Sequence, residues 1–256
     1  MKGFRERLLS KECLIGTLIT VPEPAIIDAL ALCGFDWLFI DAEHAPLSAR
    51  DVQIAIQVVA DRCATLVRVA ENSPTWIKMA LDTGCTGVIV PQVNTAADAL
   101  RAVEASRYPQ LGSRSVGISR AHGYGSTFAE YVATANDEVC VIIQAEHHLA
   151  VANIEEILKV VGIDAVFVGP YDLSGSLGVL GAVSDEVVGK AVKRVVEGSK
   201  AAGITCGIYT GSMAQAIKRS EEGFSLLAVG GDVGHLMSAA SSMLSEWRQA
   251  PQERLA

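Results

Sequence analysis

Short β-branched apolar runs alternate with amphipathic stretches eight times along this chain of 256 residues, and that repetition constrains the fold more than any other feature. Strands are expected at Leu14–Thr20, Trp37–Asp41, Thr65–Arg68, Gly87–Val90, Val139–Gln144, Ala165–Val168, Thr205–Ile208 and Leu226–Val229. Helices are expected at Pro24–Cys33, Ala49–Asp61, Trp76–Thr83, Ala96–Ser106, Ala152–Val160, Glu186–Ala202 and Met213–Glu222, with a last one over Val233–Trp247. The strands are continuous apolar runs, the pattern of parallel strands covered on both faces. Eight strand–helix units in this length point to an α/β fold of the (β/α)8 TIM-barrel type, ahead of an open doubly wound sheet. Neither a Pro/Ser-rich linker nor a shift in composition divides the chain, so one barrel domain over 1–256 is expected.

Half of the residues are hydrophobic, enough for a full core, and the net charge is −8. An acidic chain with 5% aromatic residues does not suit binding to nucleic acid or to an anionic membrane. The N-terminal MKGFRERLLSKECLIG lacks the apolar core of a signal peptide, and no run reaches transmembrane length. The six cysteines form no C-x-x-C pair and read as reduced, buried thiols of a cytoplasmic protein rather than zinc ligands.

In a barrel, polar residues at the carboxyl ends of strands converge on one mouth. Here those residues are Asp41-Ala-Glu43-His44, Arg68, Pro91-Gln92, Gln144-Ala-Glu146, Tyr171-Asp172 and Gly230-Gly-Asp232. Glu146 and Asp172 follow adjacent strands, and a divalent cation between them would remove their mutual repulsion. Two protein oxygens leave positions open to water and substrate, the habit of Mg²⁺ or Mn²⁺. Helix capping is the competing role for Asp172. His44 sits among carboxylates, where a histidine can move protons near neutral pH. Asp82, at a helix end, could orient His44 across the mouth or across a subunit contact, or could be a surface residue. Arg68 ends an apolar strand, so it must be paired or face a ligand such as a carboxylate or an enolate oxygen. The turn at Gly169-Pro170 could aim the Tyr171 and Asp172 N–H groups at a substrate carboxylate.

The remaining histidines carry weaker expectations. His147 is a possible third metal ligand, though His147-His148 reads as solvent-facing. His122 is a candidate to line the mouth from Arg107–Thr127, a long segment punctuated by Pro109, Gly112, Gly117, Gly123 and Gly125. His235 reads as packing. Lys78 and Lys159 fall on expected helices rather than strand ends, which argues against Schiff-base chemistry.

Seven stretches carry a family resemblance. They are GFDWLFIDAEHAP (34–46), LVRV (66–69), LDTGCTGVIVPQVNTA (81–96), RYPQLGSRSVGISRA (107–121), IIQAE (142–146), GIDAVFVGPYDLSGSLG (162–178) and GFSLLAVGGDVGHL (223–236). Together they resemble the HpcH/HpaI aldolases, class II pyruvate aldolases that depend on a divalent metal. The resemblance implies a pyruvate-type (β/α)8 barrel whose last helix is exchanged between protomers of a hexamer, a dimer of trimers. It implies Mg²⁺, Mn²⁺ or Co²⁺ on Glu146 and Asp172, with Arg68 and Gln144 near the pyruvyl oxygen. It implies the amides of Tyr171 and Asp172 on the carboxylate, and His44 as acid/base with Asp41 and Asp82 as electrostatic partners. His147 and Tyr171 depart from smaller residues common in the family and bear on the pocket rim.

The expected activity is reversible cleavage of a 4-hydroxy-2-oxo acid to pyruvate and an aldehyde through a metal-stabilised enolate. Three alternatives are a coenzyme A ester lyase, a phosphate-binding barrel isomerase with a cradle at Gly230-Gly231, and a non-catalytic oligomer. The apolar face of the last helix (Leu236, Met237, Ala240, Met243, Leu244 and Trp247) must pack on its own barrel or on a neighbour's.

Overall fold

The computed structural model describes residues 3–249. The 1–256 span expected for the domain therefore extends past the described residues at both ends. The chain opens with α1 (Phe4–Leu9), followed by β1 (Leu14–Ile19), α2 (Pro24–Leu32), β2 (Trp37–Asp41), α3 (Ala49–Val59) and β3 (Ala64–Arg68). Next come α4 (Pro74–Asp82), β4 (Gly87–Val90), α5 (Ala96–Ser106), a 3-10 turn at Arg120–Gly125 and α6 (Phe128–Glu138). Then follow β5 (Cys140–Ala145), α7 (His148–Ala152), α8 (Ile154–Ile157), β6 (Ala165–Val168) and α9 (Pro170–Ser176). The last elements are α10 (Glu186–Ala202), β7 (Thr205–Thr210), α11 (Met213–Glu222), β8 (Leu226–Gly231) and α12 (Asp232–Gln249). The eight strands close into a parallel barrel in chain order, the seam pairing Leu14 with Leu226.

Side chains alternate across each strand. The inward series (Leu14, Trp37, Phe39, Leu66, Ile89, Cys140, Ile142, Ala165, Phe167, Leu226 and Ala228) fills the barrel, and the outward series packs under the helices. The aromatic filling needs small neighbours. A Cβ on Gly16 would stand 2.5 Å from the Trp37 ring, and one on Gly207 would stand 2.6 Å from Phe167. At the amino end α1 plugs the barrel with Leu8, and Arg5 and Arg107 both bind the buried Asp164. That end is therefore committed to stability, which leaves the carboxyl end for chemistry.

Several boundaries differ from those expected. β1 stops at Ile19 because Asp232 takes the next residue: its carboxylate accepts from the Thr20 N–H (2.7 Å), the Thr20 hydroxyl (2.8 Å) and the Val21 N–H (2.8 Å). β5, β7 and β8 run on through Ala145, Thr210 and Gly231, where small or polar residues continue the ladder. α4 starts at Pro74, a residue preorganised for a first helical turn. α3 ends at Val59 because Ala60 turns to φ 50°. The single helix expected over Ala152–Val160 is two short ones broken at Asn153, so Lys159 lies in a turn and pairs with Glu156. α1, α6 and α9 were not expected.

The thiols divide. Cys85, Cys140 and Cys206 are buried, Cys63 is half-buried, and Cys13 and Cys33 are exposed, contrary to a uniformly buried set; all are free. α12 projects from the barrel. Leu236, Met237, Met243, Leu244 and Trp247 are each more than half exposed, so its apolar face does not pack on its own barrel. His235, like Asp232 before it, turns back to the barrel, its Nε2 2.8 Å from the Thr17 hydroxyl and its ring stacked on Phe35, the packing role expected for it.

Candidate active site

The same alternation that fills the barrel decides which strand-end residues face the mouth. Continuing each inward series past its last apolar residue gives Asp41 after Phe39, Arg68 after Leu66, Gln144 and Glu146 after Ile142, and Tyr209 after Gly207. β2 and β3 pair in register at Asp41 and Arg68. A cavity of about 370 Å³ opens there, lined by Asp41, His44, Arg68, Gln144 and Asp172 on one side and by Leu18, Thr20, Tyr171 and Tyr209 on the other.

Arg68 is buried over the face of Phe39 and forks onto Asp41, with Nε to Oδ1 at 2.9 Å and Nη2 to Oδ2 at 2.7 Å. Its Nη1 lies 3.3 Å from Glu43 Oε2. Burial works against the guanidinium charge, but the Asp41 bonds and the charges of Asp41, Glu43 and Glu146 outweigh it and hold Arg68 above its ordinary value. The structural ion pair weighed for Arg68 is thus present, and Arg68 also lines the cavity. Asp41 also accepts from the Glu43 and His44 backbone N–H groups, at 3.1 and 3.3 Å, which closes the turn after β2.

Glu146 is buried and accepts from the Gln92 N–H at 2.8 Å and from the Gln144 side-chain amide. Gln92 holds φ at 55°, a left-handed conformation uncommon for a residue with a Cβ, and so turns its N–H onto the carboxylate. Burial first, then Glu43 and Asp172, push Glu146 up to about 7 against the opposing Gln92 bond and Arg68 charge. Glu43 also rises to about 7, from burial first, with Asp41 and Asp172 adding to it and Arg68 opposing.

Asp172 stands in the first turn of α9, and no side-chain cap is formed there, which removes the capping alternative. The N–H groups of Tyr171 and Asp172 belong to that first turn and have no partner within the helix. The His44 side chain is 61% exposed, with Nε2 3.7 Å from Glu43 Oε2. Its nearest carboxylate is therefore Glu43; Asp41 reaches it only through the backbone. Asp82 lies elsewhere within the chain, accepting from Arg114 at 2.8 Å. Arg114 is itself buried over the ring of Tyr108.

Glu43 is the residue that sequence reasoning underrated: it was part of the strand-end cluster but had no role. His122 does not line the mouth. It is fully buried, bonded to the Tyr108 hydroxyl (2.9 Å) and the Ser119 hydroxyl (2.8 Å), and forms the core of the long segment. His147 caps α7 by accepting from the Leu149 N–H. Gly230 and Gly231 make no open cradle for phosphate. A Cβ on the first would stand 2.7 Å from His235, and one on the second 3.2 Å from Leu18.

The donors suit a hard divalent cation. Among the described residues no cluster of three or more His, Cys, Asp or Glu side chains is poised for a metal, and Glu146 and Asp172 are the carboxylates that would hold one. Gln144 Oε1 and Glu43 Oε2 are buried without a hydrogen bond, the latter meeting the Arg68 charge, so both could accept from groups that a bound cation or substrate would bring. Gly169 leaves room beside the Glu146 carboxylate, since a Cβ there would stand 2.8 Å from Gln144 Nε2, 2.9 Å from Glu146 Cβ and 3.1 Å from its Oε2.

The family model described as HpcH/HpaI aldolase/citrate lyase matches residues 15–239. The chain is 38% identical to the 2-dehydro-3,6-dideoxy-6-sulfogluconate aldolase of Pseudomonas putida, over 93% of this chain and 94% of the relative. It is 35% identical to the 5-keto-4-deoxy-D-glucarate aldolase of Salmonella paratyphi C (strain RKS4594), over 96% of both. It superposes with a TM-score of 0.93 on the crystal structure of a family protein from Burkholderia cenocepacia J2315, 37% identical, covering 96% of this chain and 98% of that one.

Proposed function

The chain belongs to the HpcH/HpaI aldolase/citrate lyase family, and from that premise we propose that it is a divalent-metal-dependent pyruvate aldolase, reversibly cleaving a 4-hydroxy-2-oxo acid to pyruvate and an aldehyde. One observation carries the reading: Glu146, Asp172, Gln144, the Arg68–Asp41 fork and His44 share one barrel mouth. Glu146 and Asp172 hold the cation, which when bound supplies Lewis-acid polarisation of the keto oxygen. Mg²⁺, Mn²⁺ and Co²⁺ all suit that donor pair.

The protein's own groups divide the remaining work. The N–H groups of Tyr171 and Asp172 take the substrate carboxylate. Gln144 and Arg68 Nη1 face the keto oxygen, and Asp41 fixes the guanidinium so that its charge is in place as negative charge develops. His44 removes the proton of the C4 hydroxyl. The C3–C4 bond then breaks, its electrons passing into the enolate of pyruvate as the aldehyde carbonyl forms, and C3 afterwards takes up a proton. Glu43, beside both His44 and Arg68, holds the imidazole toward the cavity. Asp82 meets Arg114 within the chain, so its action on His44 is proposed across a subunit contact.

We read the chain as one catalytic unit acting on small molecules in the cytoplasm, and as a homo-oligomer, the hexamer of the resemblance. The exposed apolar face of α12 supports the assembly. The unpaired thiols support the compartment, and among the described residues no helix is long and apolar enough to cross a membrane. The test is pyruvate with a panel of aldehydes, with EDTA and with added Mn²⁺ or Mg²⁺. Carbon–carbon bond formation that EDTA abolishes and the cation restores is expected. EDTA-resistant turnover, or none with any aldehyde, would refute the proposal.

A further inference from the structure

The cavity has two unlike walls. Asp41, His44, Arg68, Gln144 and Asp172 line one, and the reading above uses all of them. The other is built from Leu18, Thr20 and Tyr209, over a floor of Phe39 and Phe167. Tyr209 lies near the carboxyl end of β7 and follows the inward alternation, packing its ring with Leu18 against the barrel interior. Its hydroxyl makes no hydrogen bond to any described residue. Burial, and the Tyr171 phenol nearby, push its ionisation upward, so at neutral pH it carries a proton to donate.

Of the neighbouring polar groups, the Tyr171 phenol shares this wall but is more than half exposed to solvent, so its hydroxyl stays hydrated. The Thr20 hydroxyl gives its proton to Asp232 and is left only as an acceptor. Arg68, the one Lys or Arg lining the cavity, is already forked onto Asp41. A phenylalanine would fill this wall equally well with no polar tip to desolvate. A phenol without a hydrogen bond, on a wall that lines the cavity, instead demands a partner when substrate displaces water.

We infer that Tyr209 is a specificity-determining residue that hydrogen-bonds a hydroxyl group of the substrate, so that the preferred reaction carries a hydroxyl beyond the one His44 deprotonates. The inference rests on the aldolase reading and deepens it. The hydroxyl has two possible sources: C3 of the oxo acid, as in hydroxypyruvate, or the carbon next to the aldehyde, as in glycolaldehyde. Tyr209 sits on the strand next to the carboxylate-binding turn at the end of β6, within reach of either.

The test measures kcat/KM for carbon–carbon bond formation by the Mn²⁺-loaded protein and its Tyr209→Phe variant. Three pairs are compared: pyruvate with acetaldehyde, pyruvate with glycolaldehyde, and hydroxypyruvate with acetaldehyde. Loss of one neutral hydrogen bond lowers the preference for the hydroxylated substrate over its unsubstituted counterpart by about three- to tenfold. The pair that moves identifies the source of the hydroxyl. Equal changes for all three pairs would mark Tyr209 as a wall residue only and overturn the inference. Failure of the wild-type protein with every pair would refute the aldolase reading itself, and the inference with it.

Discussion

If the chain binds a divalent cation as proposed, raising the pH is expected to tighten that binding, by an amount set by the buried Glu146 carboxyl and the half-buried Glu43 beside it. Glu146 must be ionised to ligate, yet burial, Glu43 and Asp172 hold it near 7 in the metal-free protein. Proton and cation then compete, and below that value each pH unit costs about one decade of apparent affinity per proton released. Between pH 5.5 and 8.0 the ionised fraction of one such carboxyl rises from about 3% to about 90%, so the apparent Kd for Mn²⁺ falls about thirtyfold. Glu43, itself held near 7, adds to the rise of Glu146, which steepens the dependence if both protons leave.

Without a cation the sign reverses. The folded-state value of Glu146 lies above its ordinary 4.5, so the folded protein holds the proton more tightly. The stability this contributes is complete below about 4.5 and is lost as pH rises toward 7, about 3 kcal/mol for Glu146 taken alone. The metal-free Tm therefore falls across that window, and added Mn²⁺ recovers it most strongly above pH 7. Titration calorimetry in two buffers of different ionisation enthalpy counts the protons released, and Glu146→Gln removes the dependence together with most of the binding. An apparent Kd that stays flat from pH 5.5 to 8.0 would refute the reasoning.

His44→Ala is expected to slow aldol cleavage by about 10²- to 10⁴-fold while slowing proton exchange at pyruvate C3 much less, measured by stopped assay and by deuterium incorporation; a cleavage loss under about tenfold contradicts the role. Asp41→Asn leaves the buried Arg68 charge half-matched and should destabilise the fold by about 3–5 kcal/mol in urea titration, the scale of a broken buried ion pair; a change below about 1 kcal/mol would show that Glu43 suffices as partner. Truncation before Val233 should abolish the oligomer and its activity in light scattering and turnover assays, whereas an active truncated monomer would exclude exchange of α12.

Much of this fold was legible because buried parallel strands must be apolar over their whole length. β2, β4 and β6 match the expected ranges residue for residue, as do α5, α10 and α11. What stayed hidden depends on bonds between distant residues. β1 ends where Asp232, more than two hundred residues on, takes the Thr20 N–H. Asp82 meets Arg114 across 32 residues, and no local spacing announces that pair. His122 looked like a mouth residue because glycines surround it, but Tyr108 and Ser119 take both ring nitrogens. Glu43 was overlooked beside His44, since sequence order cannot show that its carboxylate lies between an imidazole and a guanidinium.

The Asp232 clasp has a thermodynamic consequence. The carboxylate that grips Thr20 and Val21 is the first residue of α12, so one side chain spans the substrate cavity and the root of the projecting helix. Any difference in how firmly the clasp is held, with α12 seated on a neighbour or loose, becomes a difference in the shape of the wall carrying Thr20. Coupling of this kind is reciprocal: a ligand that prefers the seated form must strengthen subunit association by the factor by which association strengthens its own binding. Pyruvate with Mn²⁺ should therefore lower the subunit dissociation constant in sedimentation experiments, and Asp232→Asn should uncouple the two. An association constant indifferent to pyruvate would mean that the clasp fixes the loop and transmits nothing.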